Sequence, residues 1–181
     1  MTLDRIGGKD DGGIDLQGWW WIPSTPCETS GSDRRRRIRV LAQCKAEKKK
    51  TSPKYVRELE GVLSRHRTQD GTDNTSPAMA LFLSESTYTK ATIIRAMSSH
   101  VPFLLLHMPP SDQDAEAETS AGVGSALWND ALSGTNGLLK GMFDVRWEYG
   151  SSSSYDSAGR PGLWLGDRRV ENWVPSRSRS S

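Results

Sequence analysis

Asp15, Gln43 and Lys45 are the residues of this chain whose types and spacing suit a reaction. Asp15 stands in GGIDLQGWWW (12–21), between a glycine turn and three tryptophans. Gln43 and Lys45 lie two apart in RVLAQCKAEKKK (39–50), so on an extended strand both side chains leave the same face, roughly 7 Å apart. A carboxylate and an amide oxygen suit a hard cation such as Mg²⁺, or Mn²⁺ in its place. The backbone carbonyl of Cys44 is a third candidate oxygen. A lysine beside them can orient or deprotonate an attacking water, or neutralise charge that builds on a phosphate. This is the layout of a metal-dependent phosphodiesterase, with Asp15, Gln43 and Lys45 as catalytic residues and Asp15, Gln43 and Cys44 around the metal. The plain alternative makes Asp15 a turn aspartate bonded to nearby backbone.

Charge points in the same direction. Residues 34–57 hold eleven Lys and Arg against one acid, Glu47, in a chain whose net charge is only +2. Such clustering attracts a polyanion, of which nucleic acid is the commonest. It nominates Arg34, Arg35, Arg36, Arg37, Lys48, Lys49 and Lys50 as phosphate contacts; the competing reading is a solvated basic loop. Thr89 and Lys90 open a helix, where the hydroxyl is first a cap and second a phosphate contact. Trp19, Trp20 and Trp21 alternate across a strand, so at least one is expected to be partly exposed. Sheet packing is the first reading of them and base stacking the second. Cys27, Cys44 and the three histidines show no metal-ligand spacing.

These residues need elements to hold them. Residues 14–22 read as a strand after a Gly turn, 23–36 as a loop, and 37–45 as a strand that alternates well. In it Ile38, Val40, Ala42 and Cys44 point one way and Arg39, Leu41, Gln43 and Lys45 the other. The two strands are expected to pair antiparallel. Thr51–Ser52–Pro53 starts a helix over 53–66, with Val56, Leu59 and Leu63 as its apolar stripe. AMALFLS (78–84) is a strand, 87–100 a helix with Ala91, Ile94 and Met97 turned inward, and VPFLLLHM (101–108) a buried strand. A strand–helix–strand crossover makes these two strands parallel and the sheet mixed. Residues 109–124 form a linker, 125–142 a helix or broken helix, and 143–150 a strand. A hairpin is expected over 163–175, turning near Gly166–Asp167; residues 125–175 together pack as a C-terminal extension on the same domain as the core of 1–108, and 176–181 is a disordered tail.

The order glycine turn, Asp15, basic loop, Gln43–Cys44–Lys45, helix, strand, Thr89–Lys90 helix and strand resembles the PD-(D/E)XK nucleases in their D…QXK variant. DGGIDL with VLAQCK is similar to the catalytic domain of Mrr-type restriction endonucleases, and so are VRELEGVL (56–63) and ALFLSESTYTKATIIRAMSSHVPFLLLH (80–107). That likeness covers residues 5–108. The C-terminal WNDALSGTNGLLKG, VRWEY and GLWLGDRRVENW resemble fungal mitochondrial proteins required for respiratory growth, which carry an Mrr-like domain, and this second likeness covers almost the whole chain. The resemblance implies an α/β, restriction-endonuclease-like fold: a mixed central sheet flanked by helices. It also implies a Mg²⁺- or Mn²⁺-dependent nuclease, nucleic acid as partner (DNA before RNA), and a mitochondrial location. In that fold a helix precedes the first strand, and only fourteen residues stand before Asp15, so the helix is expected to be missing. A scaffold that keeps the fold and binds nucleic acid or a mitochondrial assembly is the alternative, favoured by Gln43 where an acid is usual.

Bulk properties set the outer limits. At 181 residues the chain suits one domain with a proper core. No apolar run approaches the ~20 residues of a membrane span. The acidic, glycine-rich N-terminus reads neither as a secretory signal nor as an Arg-rich presequence.

Overall fold

A computed structural model describes residues 1–6, 13–24, 35–69, 77–110, 122–149 and 160–175, the side chains of 67–69 excepted. Arg34, Cys27, most of the loop expected at 23–36, most of the linker and the tail at 176–181 lie outside the described residues. In chain order the elements are β1 (Thr2–Arg5), β2 (Leu16–Pro23), β3 (Arg35–Lys45), α1 (Pro53–Gln69), β4 (Ala78–Ser84), α2 (Lys90–Met97), β5 (Phe103–His107), β6 (Ser125–Trp128), α3 (Asp130–Ser133), β7 (Phe143–Glu148), β8 (Arg160–Leu165) and β9 (Arg168–Arg169). The first six strands form one sheet in the order β1-β2-β3-β4-β5-β6, and the last three form a second sheet. The large sheet is mixed: β3, β4 and β5 are parallel, and the other pairings are antiparallel.

β3 and β4 explain the layering. In β4 every residue but Leu83 is buried, as a strand covered on both faces requires. Ala80 and Phe82 pack with Val56 and Leu59 of α1, Ala96 of α2, and Phe103 and Leu105 of β5. Met79 and Leu81 point the other way, into a cluster with Ile22, Ile38, Val40, Ala42, Leu132, Leu139 and Phe143. Leu163, Leu165 and Val170 close over that second cluster. Helices therefore cover one face of the sheet, and the C-terminal segment covers the other. Pairing of β2 with β3 is antiparallel as expected, from Leu16 opposite Ala42 to Pro23 opposite Arg35.

Four expectations change. Residues 125–142 are not a helix. Ser125–Trp128 add a sixth strand to the free edge of β5, and only Asp130–Ser133 are helical before a glycine-containing turn region. In α2 the inward residues are Thr92 and Ala96, while Ala91 and Ile94 face out. Thr89 caps that helix through the Thr92 N–H, and the buried Thr92 hydroxyl donates to the Thr51 carbonyl at 2.6 Å, which sets the helix phase. β3 begins at Arg35, so Arg35 and Arg36, expected in the loop, belong to the strand. At the N-terminus, where no strand was expected, β1 pairs antiparallel with β2. Gly18 permits the close approach, since a Cβ there would sit 1.9 Å from the Thr2 carbonyl oxygen.

One buried amide joins the layers. Asn129 is 1% exposed. Its Nδ2 donates to the carbonyls of Ala96 (3.0 Å), Ser99 (3.0 Å) and Val101 (2.7 Å). Its Oδ1 accepts from the N–H groups of Phe103 (3.0 Å) and Leu132 (3.1 Å). The end of α2, the start of β5 and the start of α3 thus share one side chain. Asn129→Ala would strand several buried backbone groups at ~1–3 kcal/mol each. We expect a loss of about 3 kcal/mol in urea denaturation with an unchanged m-value; a loss under about 1 kcal/mol would show that water replaces the amide.

Candidate active site

Local packing fixes Asp15 before any chemistry is considered. Gly13 turns the chain with φ +87, a backbone region that favours glycine. Ile14 is then buried against Leu41, Val62, Leu63 and Ala78, on the helix side of the sheet. Leu16 packs on the opposite face. Between them, the Asp15 N–H donates to Ala42 (2.9 Å) and its carbonyl accepts from Ile6 (3.0 Å). Its carboxylate Oδ2 accepts the Cys44 N–H at 2.6 Å. The carboxylate therefore continues the β2–β3 ladder just beyond the end of β2.

Gln43 and Lys45 stand on either side of that contact. Gln43 is 4% exposed, and its Oε1 has no hydrogen-bond partner among the described residues. Lys45 Nζ lies over the Tyr55 ring, 4.8 Å from the centroid. The Tyr55 hydroxyl donates to Glu47 Oε1 at 2.7 Å, and this bond, with a smaller effect of burial, raises the phenol above its ordinary range. The Cys44 side chain is exposed. Burial first, and the Asp15 charge second, push its thiol up, while Lys45 pulls it down. Among the described residues no group of three or more His, Cys, Asp or Glu is placed to hold a metal ion. One carboxylate, one buried amide oxygen and one ammonium belong to neighbouring residues at the C-terminal end of β3.

The other nominated residues divide between two places. Lys48, Lys49 and Lys50 are exposed on the loop that follows Lys45. That loop is knitted to the β4–α2 loop: the Thr51 and Ser84 hydroxyls meet at 2.7 Å, and the Thr89 N–H donates to the Thr51 carbonyl at 3.3 Å. Lys90 is exposed beyond it, while the Thr89 hydroxyl is committed to the helix cap. These residues share an edge with Lys45. Arg35, Arg36 and Arg37 lie at the other end of the 11-residue strand, about 30 Å away at ~3.3 Å per residue. Arg36 is structural, because its guanidinium donates to the Leu138 carbonyl behind the sheet. The basic run is two patches with an apolar stretch between them.

Sequence reasoning missed the aromatic half of the distal patch. Trp19 carries two guanidinium groups, from Arg37 (4.3 Å to the centroid) and Arg39 (4.9 Å). Trp173, from the C-terminal segment, meets Trp21 edge-on at 5.6 Å and carries Arg35 at 4.8 Å. The i, i+2 spacing of Arg35, Arg37 and Arg39 against Trp19 and Trp21 was the available signal, once the strand was begun early enough. Two clefts lie elsewhere. One of about 310 Å³ is lined by residues including Arg36, His100 and Lys140, and one of about 430 Å³ by β6 and β7 residues including Trp128 and Trp147.

A family model described as Required for respiratory growth protein 7 matches residues 1–132. The chain belongs to this family. The matched segment holds the whole six-stranded sheet with Asp15, Gln43 and Lys45, and stops in α3, short of the almost complete coverage expected from the C-terminal motifs. An uncharacterised mitochondrial protein of Schizosaccharomyces pombe is 41% identical over 68 residues, which are 38% of this chain. The chain spans about a quarter (24%) of that relative's length. The respiratory-growth family and the mitochondrial relative place the protein in mitochondria. No solved structure matches the chain.

Contact between Asp15 and Cys44 has a chemical readout. Asp15→Asn removes a negative charge beside the thiol, so the Cys44 pKa should fall toward its ordinary value and the thiolate fraction should rise at any pH below it. Iodoacetamide labelling of Cys44, followed by mass spectrometry at pH 7.5–9, should be faster in the variant. An unchanged rate profile would place the carboxylate away from Cys44.

Proposed function

We propose that this protein is a metal-dependent phosphodiesterase acting on nucleic acid in mitochondria, and that this activity serves respiratory growth. The observation that carries the reading is the placement of Asp15, Gln43 and Lys45 at one strand end, with Gln43 Oε1 buried and without a hydrogen-bond partner among the described residues. An apolar surround without a partner is a costly place for an amide oxygen, and a hard cation is one group that would satisfy it. Asp15 and Gln43 would hold Mg²⁺ or Mn²⁺, with the Cys44 carbonyl as the third oxygen. Such an ion polarises a phosphoryl oxygen and lowers the pKa of bound water. Lys45 supplies positive charge where the phosphate gains negative charge. Tyr55, itself tied to Glu47, holds that ammonium by its ring face. Lys48, Lys49, Lys50 and Lys90 would bind the backbone of the strand to be cut, DNA before RNA. The order β2, β3, α1, β4, α2, β5 supports an Mrr-like PD-(D/E)XK core in this reading.

A second reading has its own observation. The Asp15 carboxylate already accepts the Cys44 N–H, and no cluster of three metal-binding side chains stands beside it among the described residues. A scaffold of nuclease type would look like this, binding nucleic acid or a mitochondrial assembly without cleaving.

Plasmid DNA and a structured RNA, incubated with the full chain and Mg²⁺ or Mn²⁺, separate the two. The first reading expects metal-dependent cleavage that Asp15→Ala abolishes and Lys45→Ala lowers by about 10²–10³. Circular dichroism should show both variants folded, because both side chains sit at a strand end. Nucleic-acid binding in the absence of metal should hold or rise in Asp15→Ala, since a repelling carboxylate is gone. Binding without cleavage in the wild-type chain would select the scaffold.

A further inference from the structure

The distal end of the β2–β3 ribbon holds hydrogen-bond donors that face no acceptor. Trp21 Nε1, Arg35 Nε and Arg35 Nη1 are all buried, and none has a hydrogen-bond partner among the described residues. Trp21 stands opposite Arg37 and Arg35 opposite Pro23, so Trp21 and Arg35 are diagonal neighbours on one face. Trp173 completes the group, edge-on to Trp21 and beneath the Arg35 guanidinium. Its ring face screens part of the cationic charge but accepts none of the in-plane N–H bonds. An indole N–H and a guanidinium can only donate. Leaving such donors dry is costly. A group that accepts several hydrogen bonds and brings negative charge would satisfy all three at once.

We propose that Trp21, Arg35 and Trp173 form a phosphate-binding subsite that seats a nucleic-acid phosphodiester. The subsite follows from the donors; the nature of its occupant rests on the proposed function. Charge complementarity favours a polyanionic strand over a lone anion. Arg35, Arg37 and Arg39 share the face at about 6.6 Å intervals, and each guanidinium lies over an indole ring. On that face β2 and β3 carry no acid between Arg35 and Arg39. The nearest by register is Asp4 on β1, opposite Gln17 and toward Asp15. A carboxylate of this same chain is the competing occupant.

The full chain, ¹⁵N-labelled at its tryptophan indoles and free of divalent metal, gives a direct test. Trp21→Phe assigns the Trp21 N–H signal and keeps the edge-on ring contact. Titration with inorganic phosphate should move that signal saturably, and Arg35→Gln should abolish the movement. A Trp21 signal that ignores phosphate, or moves equally in Arg35→Gln, would overturn the subsite and point to an internal carboxylate or to general screening. For the occupant, a labelled DNA duplex is titrated at several salt concentrations. Trp21→Phe should weaken binding about tenfold, as expected for one hydrogen bond to a charged group, without changing the salt slope. Arg35→Gln should weaken it and reduce the slope of log K against log salt by about 0.9. Unchanged DNA affinity in both variants would overturn the nucleic-acid occupant. No step needs metal or cleavage, so failure of the nuclease reading leaves these results independently readable.

Discussion

Burial of β3 and β4 on both faces constrains everything else in this protein. Once helices cover one side and the C-terminal segment the other, the middle of each strand must be apolar from either direction. Val40 and Ala42 serve one cluster, Leu41 the other, and β4 has no solvent-facing register at all. Polar chemistry is therefore displaced to strand ends. At the C-terminal end the loops after β3 and β4 bond to each other through Thr51, Ser84, Thr89 and Thr92, and Asp15, Gln43 and Lys45 gather at their margin. At the other end β4 begins only opposite Arg39. The sheet narrows there to a two-stranded ribbon whose helix-side face is free to carry arginine. The same constraint that builds the core separates the two basic patches.

Much of the fold could be read in the sequence because its signals were local. A short, continuous apolar AMALFLS reads as a strand, and the Ser–Pro start with its apolar stripe marks α1. The alternation in β3 gave the two faces correctly, yet it left open that both were covered. Other features could not be read because their partners are distant in the chain. β1 exists through pairing with β2, and β6 through the open edge of β5. SALW carries too few residues to declare a period. The α2 phase was missed because a buried threonine, bonded to Thr51 forty-one residues away, outranks Ile94, which stays 56% exposed. Asn129 lies inside the segment expected as a helix or broken helix and is a buried junction in the fold.

The candidate site was legible to the extent that strand pairing was. Opposing Leu16 and Ala42 bring Asp15 beside Gln43 by register alone, and period-two alternation adds Lys45. What alternation could not supply was the state of each group. Lys45 rests on Tyr55, Gln43 is sealed from water, and the Asp15 carboxylate has taken a backbone partner. Beside them Tyr88 shows how the edge is kept rigid. Its hydroxyl donates toward the Phe82 and Leu106 carbonyls, each at 2.8 Å. Burial raises its phenol far above the ordinary range, and the protonated hydroxyl links β4 to β5.

Counting charges along residues 34–57 treats eleven cations as equivalent, and the structure separates those it describes by where each side chain is placed. Arg36 points to the C-terminal layer and is spent on a carbonyl. Lys48 to Lys50 are solvated, so each brings a hydrated point charge to any polyanion that comes near. Arg35, Arg37 and Arg39 lie over indole rings, an arrangement suited to a planar, weakly hydrated guanidinium. Stacking immobilises each group before any anion arrives, which lowers the entropy cost of binding, and it leaves the in-plane N–H groups as the remaining valence. A guanidinium held by its face therefore recognises through its edge. That is why the end of the ribbon with the fewest lysines is also the end with the most defined geometry for a phosphate.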